Sequence, residues 1–467
     1  MVFTSTIFLY AFLPAFLLLY ALAPRAMRSL LIAIGSCVFY GWWNPSFVGL
    51  LLASSVIDYW LGGRIASDRR RGAGSGRRWL VLSLVANLSL LGWFKYANFG
   101  VQTFRALLQG LGFAGDFAWV DVVLPVGISF YTFQTMSYTI DVYRGEVQTA
   151  ASFVDFLCYV SMFPQLVAGP IVRYSVVEHE LQHREHSLAK VQRGVLFFQT
   201  GMVKKLLLAD ALAPLAGAAF STPDAGQLGG VDAWLGILAY TFQIYFDFSG
   251  YSDMAIGLGL LLGFHFPINF DAPYRSRSIT EFWRRWHISL STWLRDYLYV
   301  ALGGNRRGTL RTYGNLMATM LLGGLWHGAA WNFVAWGGYQ GGWLVLERLA
   351  GKRPWYGSAP PFVRTAITFL LVMVGWVLFR ARDLGHAGDY LGTMFGMGSG
   401  EAARLLPSAP LCELGIAAVV VWTMPTSQRA VARAHPAFVV LLQLLFVLAA
   451  LQLRAAPENI PFLYFQF

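Results

Sequence analysis

Two histidines in a strongly apolar chain are the residues whose type and setting could do chemistry. His327 stands in LLGGLWHGAAWNFVAW, a stretch that reads as membrane helix. An ionisable side chain at membrane depth is costly, so it marks either a functional site or a buried hydrogen bond to a neighbouring helix. Gly323, Gly324 and Gly328 clear side chains from around it, which admits a second helix or a ligand. Trp326 and Trp331 are bulky and amphipathic, and Asn332 adds a donor and an acceptor. A neutral imidazole in such a pocket can take a proton from a hydroxyl, because its ordinary pKa suits general-base work near neutral pH. His287 lies upstream in EFWRRWHISLSTWLRD, beside Arg284, Arg285 and Trp286. It belongs either to a basic surface that holds phosphates or to an anchor helix with Arg and Trp at headgroup level.

Other chemistries find less support. The chain has no P-loop and no GxSxG elbow. EHELQHREH (178–186) lacks HExxH spacing and reads as a solvated segment, so no metal is expected. Cys37, Cys158 and Cys412 sit far apart in apolar segments, which argues against a disulfide framework. QIYFDFSGYSDMAIG places Asp247 and Asp253 in an apolar run, where they pair with arginine, orient a histidine or cap a broken helix.

The elements that must position these groups are membrane helices. The 467 residues are 56% hydrophobic and only 13% charged, against about a quarter charged in soluble domains. The net charge of +11, with 30 of 35 basic residues arginine, fits basic loops on the cytoplasmic face rather than nucleic acid. Some of these side chains would also meet anionic lipid. Apolar stretches predict ten to thirteen spans or half-spans, among them 192–215, 232–262, 311–325, 327–349, 364–380, 411–424 and 436–454. The first run, Ile7–Ala23, lacks a basic start and is expected to be a retained span. Basic loops at 67–78 and 426–435 are predicted inside, which places both termini and the loop 381–410 outside. Residues 271–310 are too polar to span. Phe282, Trp286, Leu290, Trp293 and Tyr297 recur there at helical spacing, predicting amphipathic helices at the cytoplasmic interface.

Several long motifs resemble the membrane-bound O-acyltransferases of the alginate O-acetylation type. They are SCVFYGWWNPSFVGLLLASSVIDYWLG, LPVGISFYTFQTMSYTIDVYRGE, FPQLVAGPIVRY, YFDFSGYSDMAIGLGLLLGF, FWRRWHISLSTWLRDYLYVALGGNR and GGLWHGAAWNFVAWG, and the likeness runs to the terminal PFLYFQF. It implies one all-α polytopic membrane domain over residues 1–467. About eleven core transmembrane helices, with re-entrant and interfacial helices, would surround a central funnel. His327 matches the family's catalytic histidine, and His287 its second histidine at the cytoplasmic mouth. The implied donor is an acyl thioester, acetyl-CoA or another, for which Arg284, Arg285, Trp286, Arg306 and Arg307 are candidate contacts. Trp326, Asn332 and Asp296 are candidate supporting residues. No tightly bound cofactor is expected.

The resemblance further implies a bacterial inner-membrane enzyme working with a periplasmic, hydrolase-like acetyltransferase and with polysaccharide synthesis and export machinery. The acceptor would be an exported glycan such as alginate; peptidoglycan, another cell-wall glycan and D-alanylation stay open. The tail (455–467) carries Tyr464 in a setting similar to a terminal motif of D-alanylation partners. Tyr464 is therefore either an acyl carrier or part of an aromatic belt. Two rival classes are a transporter with a histidine proton relay and a structural scaffold for a polysaccharide machine.

Overall fold

The computed structural model describes residues 1–72, 76–113, 118–221, 225–351, 354–398, 400, 410–455 and 462–463. The described residues are helical wherever they are regular, with no strand among them. In chain order the helices used below are α1 (Phe8–Leu22), α2 (Arg28–Gly41), α3 (Ser46–Arg70), α4 (Arg77–Gly110), α5 (Ile128–Arg144), α6 (Phe153–Ser161) and α7 (Tyr174–Gln182). They continue as α8 (Leu188–Val203), α9 (Asp210–Ser221), α10 (Gly230–Leu261), α11 (Ile279–Arg285) and α12 (Ile288–Trp293). The last are α13 (Thr309–His327), α14 (Trp331–Leu349), α15 (Pro361–Arg380), α16 (Leu384–Met394), α17 (Leu411–Thr423), α18 (Ser427–Arg433) and α19 (Pro436–Ala455). Among the described residues, α3, α4, α15 and α19 are long and apolar enough to cross a membrane, and α1 and α17 are shorter apolar helices. The protein is an all-helical membrane protein.

The chain forms two compact units, Met1–Gly194 with Leu258–Pro267, and Val195–Gly257 with Ile268–Phe467. In the first, a buried polar ladder ties α3, α4 and α5. Asp58 accepts from Ser83 Oγ at 2.7 Å and from Asn87 Nδ2 at 2.8 and 2.9 Å, and Thr135 donates to Asn87 Oδ1 at 3.1 Å. Interhelical hydrogen bonds of this kind hold helices together where hydrophobicity gives no preference between protein and lipid.

In the second unit the sequence and the structure differ in three places. LLGGLWHGAAWNFVAW, expected to part at residue 326 between the spans 311–325 and 327–349, instead breaks after His327. α13 ends at His327, Gly328 is extended (φ −154°, ψ 146°), and α14 begins at Trp331. The run containing Asp247 and Asp253 is, by contrast, one uninterrupted helix of 32 residues, α10. Its carboxylates pair with lysines rather than arginines or a helix end. Finally, Phe282, Trp286, Leu290, Trp293 and Tyr297 are all buried, at 8% exposure or less. Their stripe faces protein rather than lipid, and the helix carrying it breaks between α11 and α12.

Candidate active site

His327 is positioned by the α13–α14 hairpin. A Cβ added to Gly324 would lie 2.2 Å from the Phe333 carbonyl oxygen, and one added to Gly337 would lie 2.3 Å from the Met320 carbonyl oxygen. Only glycine at both positions lets the two backbones approach this closely. The crossing fixes the last turn of α13, and with it the imidazole, which is 6% exposed. Three aromatic edges and faces enclose the ring: Trp326 at 5.1 Å, Trp336 at 5.2 Å and Phe379 at 5.2 Å between centroids, all near perpendicular. Such T-shaped contacts place ring edges against π faces and restrict rotation of the imidazole.

His287 sits 6.3 Å from His327 by ring centroids. Its own conformation is unusual for a non-glycine residue, with φ 42° and ψ 56°, at the junction of α11 and α12. A left-handed residue costs of order 1 kcal/mol and persists only where its surroundings enforce it. Here the flanking chain is clamped. Ile288 N donates to the Asn269 carbonyl (3.0 Å), Ser289 Oγ to Asn269 Oδ1 (2.7 Å) and Asp271 N to the Arg285 carbonyl (3.1 Å). From the other side, the buried Glu347 of α14 accepts from Ile279 N (2.7 Å) and Thr280 N (2.9 Å), satisfying free amides at the start of α11. The hairpin that carries His327 thus also anchors the helix that leads into His287.

The His287 imidazole is fully buried, against Phe248 at 4.6 Å, and neither ring nitrogen has a hydrogen-bond partner in the described residues. Desolvation pushes its pKa down to about 3, so the ring is neutral, with one donor and one acceptor nitrogen. Trp336 Nε1 is likewise buried without a partner in the described residues. Unpaired buried polar groups are uncommon and call for a ligand or a bound water.

A small cavity of about 20 Å³ lies at His327, lined by Ile244, Asp247, Phe248, Trp286, Trp336, Trp376 and Phe379, and by Phe462 and Leu463 of the tail. That is room for about one water. The tail enters through two contacts. Phe462 stacks on Tyr251 of α10 at 4.7 Å, and Leu463 N donates to Asp247 Oδ2 at 2.8 Å. Asp247 Oδ1 is 2.7 Å from Lys205 Nζ, which also reaches Asp210 Oδ1 at 2.7 Å. Lys205 lies in a π turn, Lys204–Ala209, and its neighbour Lys204 meets Asp253 Oδ2 at 2.6 Å. π turns widen the helix by one residue and are frequent at functional sites. Gly201 of α8 packs on Gly250 of α10, where an added Cβ would lie 2.3 Å from its carbonyl oxygen; this brings the turn against α10.

Of the residues singled out from the sequence, the structure brings together His287, His327, Trp286 and Trp326. Arg284, Arg306 and Arg307 are exposed, Arg285 pairs with Glu281 at 2.7 Å, and none of the four lines this cavity. Asp296 binds its neighbour Arg295 at 2.6 Å, and Asn332 Nδ2 donates to the Ala381 carbonyl at 2.8 Å, just past the end of α15. Tyr464 lies outside the described residues. Sequence reading missed Lys205, Phe248, Trp336, Trp376 and Phe379. Lys204 and Lys205 in an apolar run were the available signal for the first.

Residues 140–377 match the model of the membrane-bound O-acyltransferase family. The chain is 45% identical to a probable alginate O-acetylase AlgI of Azotobacter vinelandii, over the full length of both. It is 50% identical to that of Pseudomonas aeruginosa over 87% of this chain and 77% of the relative. It is also 35% identical to a peptidoglycan O-acetyltransferase of Helicobacter pylori over 88% of this chain and 82% of the relative. On a helical membrane scaffold with a buried histidine at an aromatic cavity, this family match and these relatives identify the chain as an acyltransferase of the membrane-bound O-acyltransferase family.

Proposed function

We propose that this enzyme transfers an acetyl group from cytoplasmic acetyl-CoA across the inner membrane for O-acetylation of an exported polysaccharide such as alginate. The observation that carries this reading is the cavity at His327, with a second, neutral histidine 6.3 Å away that has no partner among the described residues. In the proposed step the His327 imidazole takes the proton of an acceptor hydroxyl as its oxygen attacks the thioester carbonyl carbon. The C–O bond forms, the C–S bond breaks, and the coenzyme A thiolate leaves with the proton held by His327. The donor nitrogen of His287 and Trp336 Nε1–H, without a partner among the described residues, would stabilise the oxyanion. A buried, aromatic setting strengthens both hydrogen bonds.

The single-domain organisation, the interfacial role of 271–310 and the outward-facing termini belong to the same proposal. So does delivery through Tyr464, as carrier, to a periplasmic hydrolase-like transferase; Phe462 and Leu463 at the cavity wall support it. Mass spectrometry of the secreted glycan tests both parts. His327→Ala is expected to abolish O-acetyl groups, and retained acetylation would refute the assignment. Tyr464→Phe is expected to do the same and, because the carrier hydroxyl is the first acceptor, to suppress thioester cleavage by the purified enzyme as well. Unchanged acetylation in that variant sinks the carrier.

A further inference from the structure

We infer that Asp247, held by Lys205, is a positioning residue that docks the carboxy-terminal segment at the His327 cavity. The inference deepens the carrier reading above, and rests on it for its purpose, but the docking itself is argued from contacts. A carboxylate buried to 1% exposure needs a partner for each oxygen. Lys205 Nζ serves Oδ1 at 2.7 Å, and Oδ2 receives the backbone amide of Leu463 at 2.8 Å. Lys205 itself is fixed by Asp210 at 2.7 Å, so the carboxylate is held whether or not the tail is present. The bond to the tail uses main chain, and so places the chain without specifying a side chain. Phe462, stacked on Tyr251 and edge-on to Phe248, adds a side-chain contact next to that main-chain bond. Gln452 of α19 donates to the Leu206 carbonyl at 3.2 Å, so the same π turn also holds the helix preceding the tail. One short stretch, Lys204–Ala209, therefore ties α10, α19 and the tail at the cavity wall.

The test separates the acceptor from the charge. With Cys37, Cys158 and Cys412 replaced by alanine, Leu463→Cys keeps the backbone amide and supplies a thiol at the cavity wall. Ala239→Cys, at a fully buried position of α10, supplies a second as a reporter of the fold. Maleimide labelling of each thiol is followed in the full-length protein with Asp247, Asp247→Asn or Asp247→Leu. The last two lack the charge equally and leave Lys205 with Asp210, but only asparagine retains an acceptor oxygen. The expected result is that asparagine labels at position 463 within about threefold of the parent. Leucine labels about tenfold faster or more, in line with losing a buried hydrogen bond, while position 239 stays protected. Equal rates for asparagine and leucine, or a leucine rate matching the parent, overturn the assignment. Simultaneous labelling at 239 also overturns it, since Asp247 would then hold the fold rather than the tail. The assay reads no acyl transfer, so its failure is distinguishable from that of the carrier, which Tyr464→Phe tests.

Discussion

Gly324→Ala is the most direct test of how the α13–α14 crossing sets His327. The added Cβ would stand 2.2 Å from the Phe333 carbonyl oxygen and 3.1 Å from Gly337 Cα, where ordinary contact begins near 3.4 Å. The neighbours are backbone, so no side chain can swing aside; the helices must part by about 1 Å. Overpacking of this kind costs ~1–3 kcal/mol in stability. His327 lies one turn further along the same helix, and a misplacement of about 1 Å at a reacting group costs on the order of 100-fold in rate, or ~2.7 kcal/mol on the barrier. Gly342→Ala is the matched control. It lies on α14, nothing stands within 4 Å of its added Cβ, and replacing a helical glycine there should stabilise by ~0.5–1 kcal/mol. Thermal unfolding in detergent and quantified glycan O-acetylation in cells give the two readouts. Equal behaviour of the two variants, or full acetylation with Gly324→Ala, would refute the reasoning.

Two further outcomes follow from the clamped histidine and its support. The buried His287 stays neutral down to about pH 3, whereas an unfolded histidine binds a proton below about 6.5. Between these values the unfolded chain holds the extra proton, so stability rises with pH through this window and is lost as pH falls. His287→Gln should therefore flatten the decrease in melting temperature between about pH 7 and 5, measured by differential scanning fluorimetry; an unchanged slope counts against a neutral buried ring. Glu347→Ala leaves Ile279 N and Thr280 N unpaired and should cost ~1–3 kcal/mol. Glu347→Gln, which keeps one acceptor oxygen, should cost less, and denaturant titration of the two variants checks the order.

Much of the scaffold was readable from residue chemistry. The spans expected at 364–380 and 436–454 correspond to α15 and α19, and that at 232–262 to α10, because unbroken apolar runs leave few alternatives to a helix. The expected spans 311–325 and 327–349 already part at this hairpin, but the exact place of the break, just after His327, was not readable. GLWHGAAW has the same hydropathy whether helical or extended, and its interruption is set by packing of the flanking helices. The lysine partners of Asp247 and Asp253 escaped for a related reason. A π turn departs from the 3.6-residue repeat on which helix reading depends, so the facing of Lys204 and Lys205 cannot be derived from periodicity. The arginines near His287 looked like ligands because they adjoin it in sequence, but α11 ends at Arg285 and the left-handed His287 turns its ring away from that helix face. Contact between Leu463 and Asp247 spans 216 residues of chain, a pairing that no local pattern encodes.

The π turn has a consequence for descent. Adjacent residues of an α-helix point about 100° apart, yet Lys204 and Lys205 both reach α10, at Asp253 and Asp247. The extra residue of the wide turn permits this. Deleting one residue from Lys204–Ala209 and restoring ordinary winding would leave α8 and α9 facing nearly as before, because the wide turn absorbs the extra residue, but it would set the two lysine positions about 100° apart again. One ion pair would then be lost however well the remaining residues were chosen. Substitutions in this hexamer have graded effects, but a change of length does not. Across homologous chains, gaps should therefore fall in the basic loop at 67–78 and avoid 204–209, which acts as a fixed-length ruler between two helices.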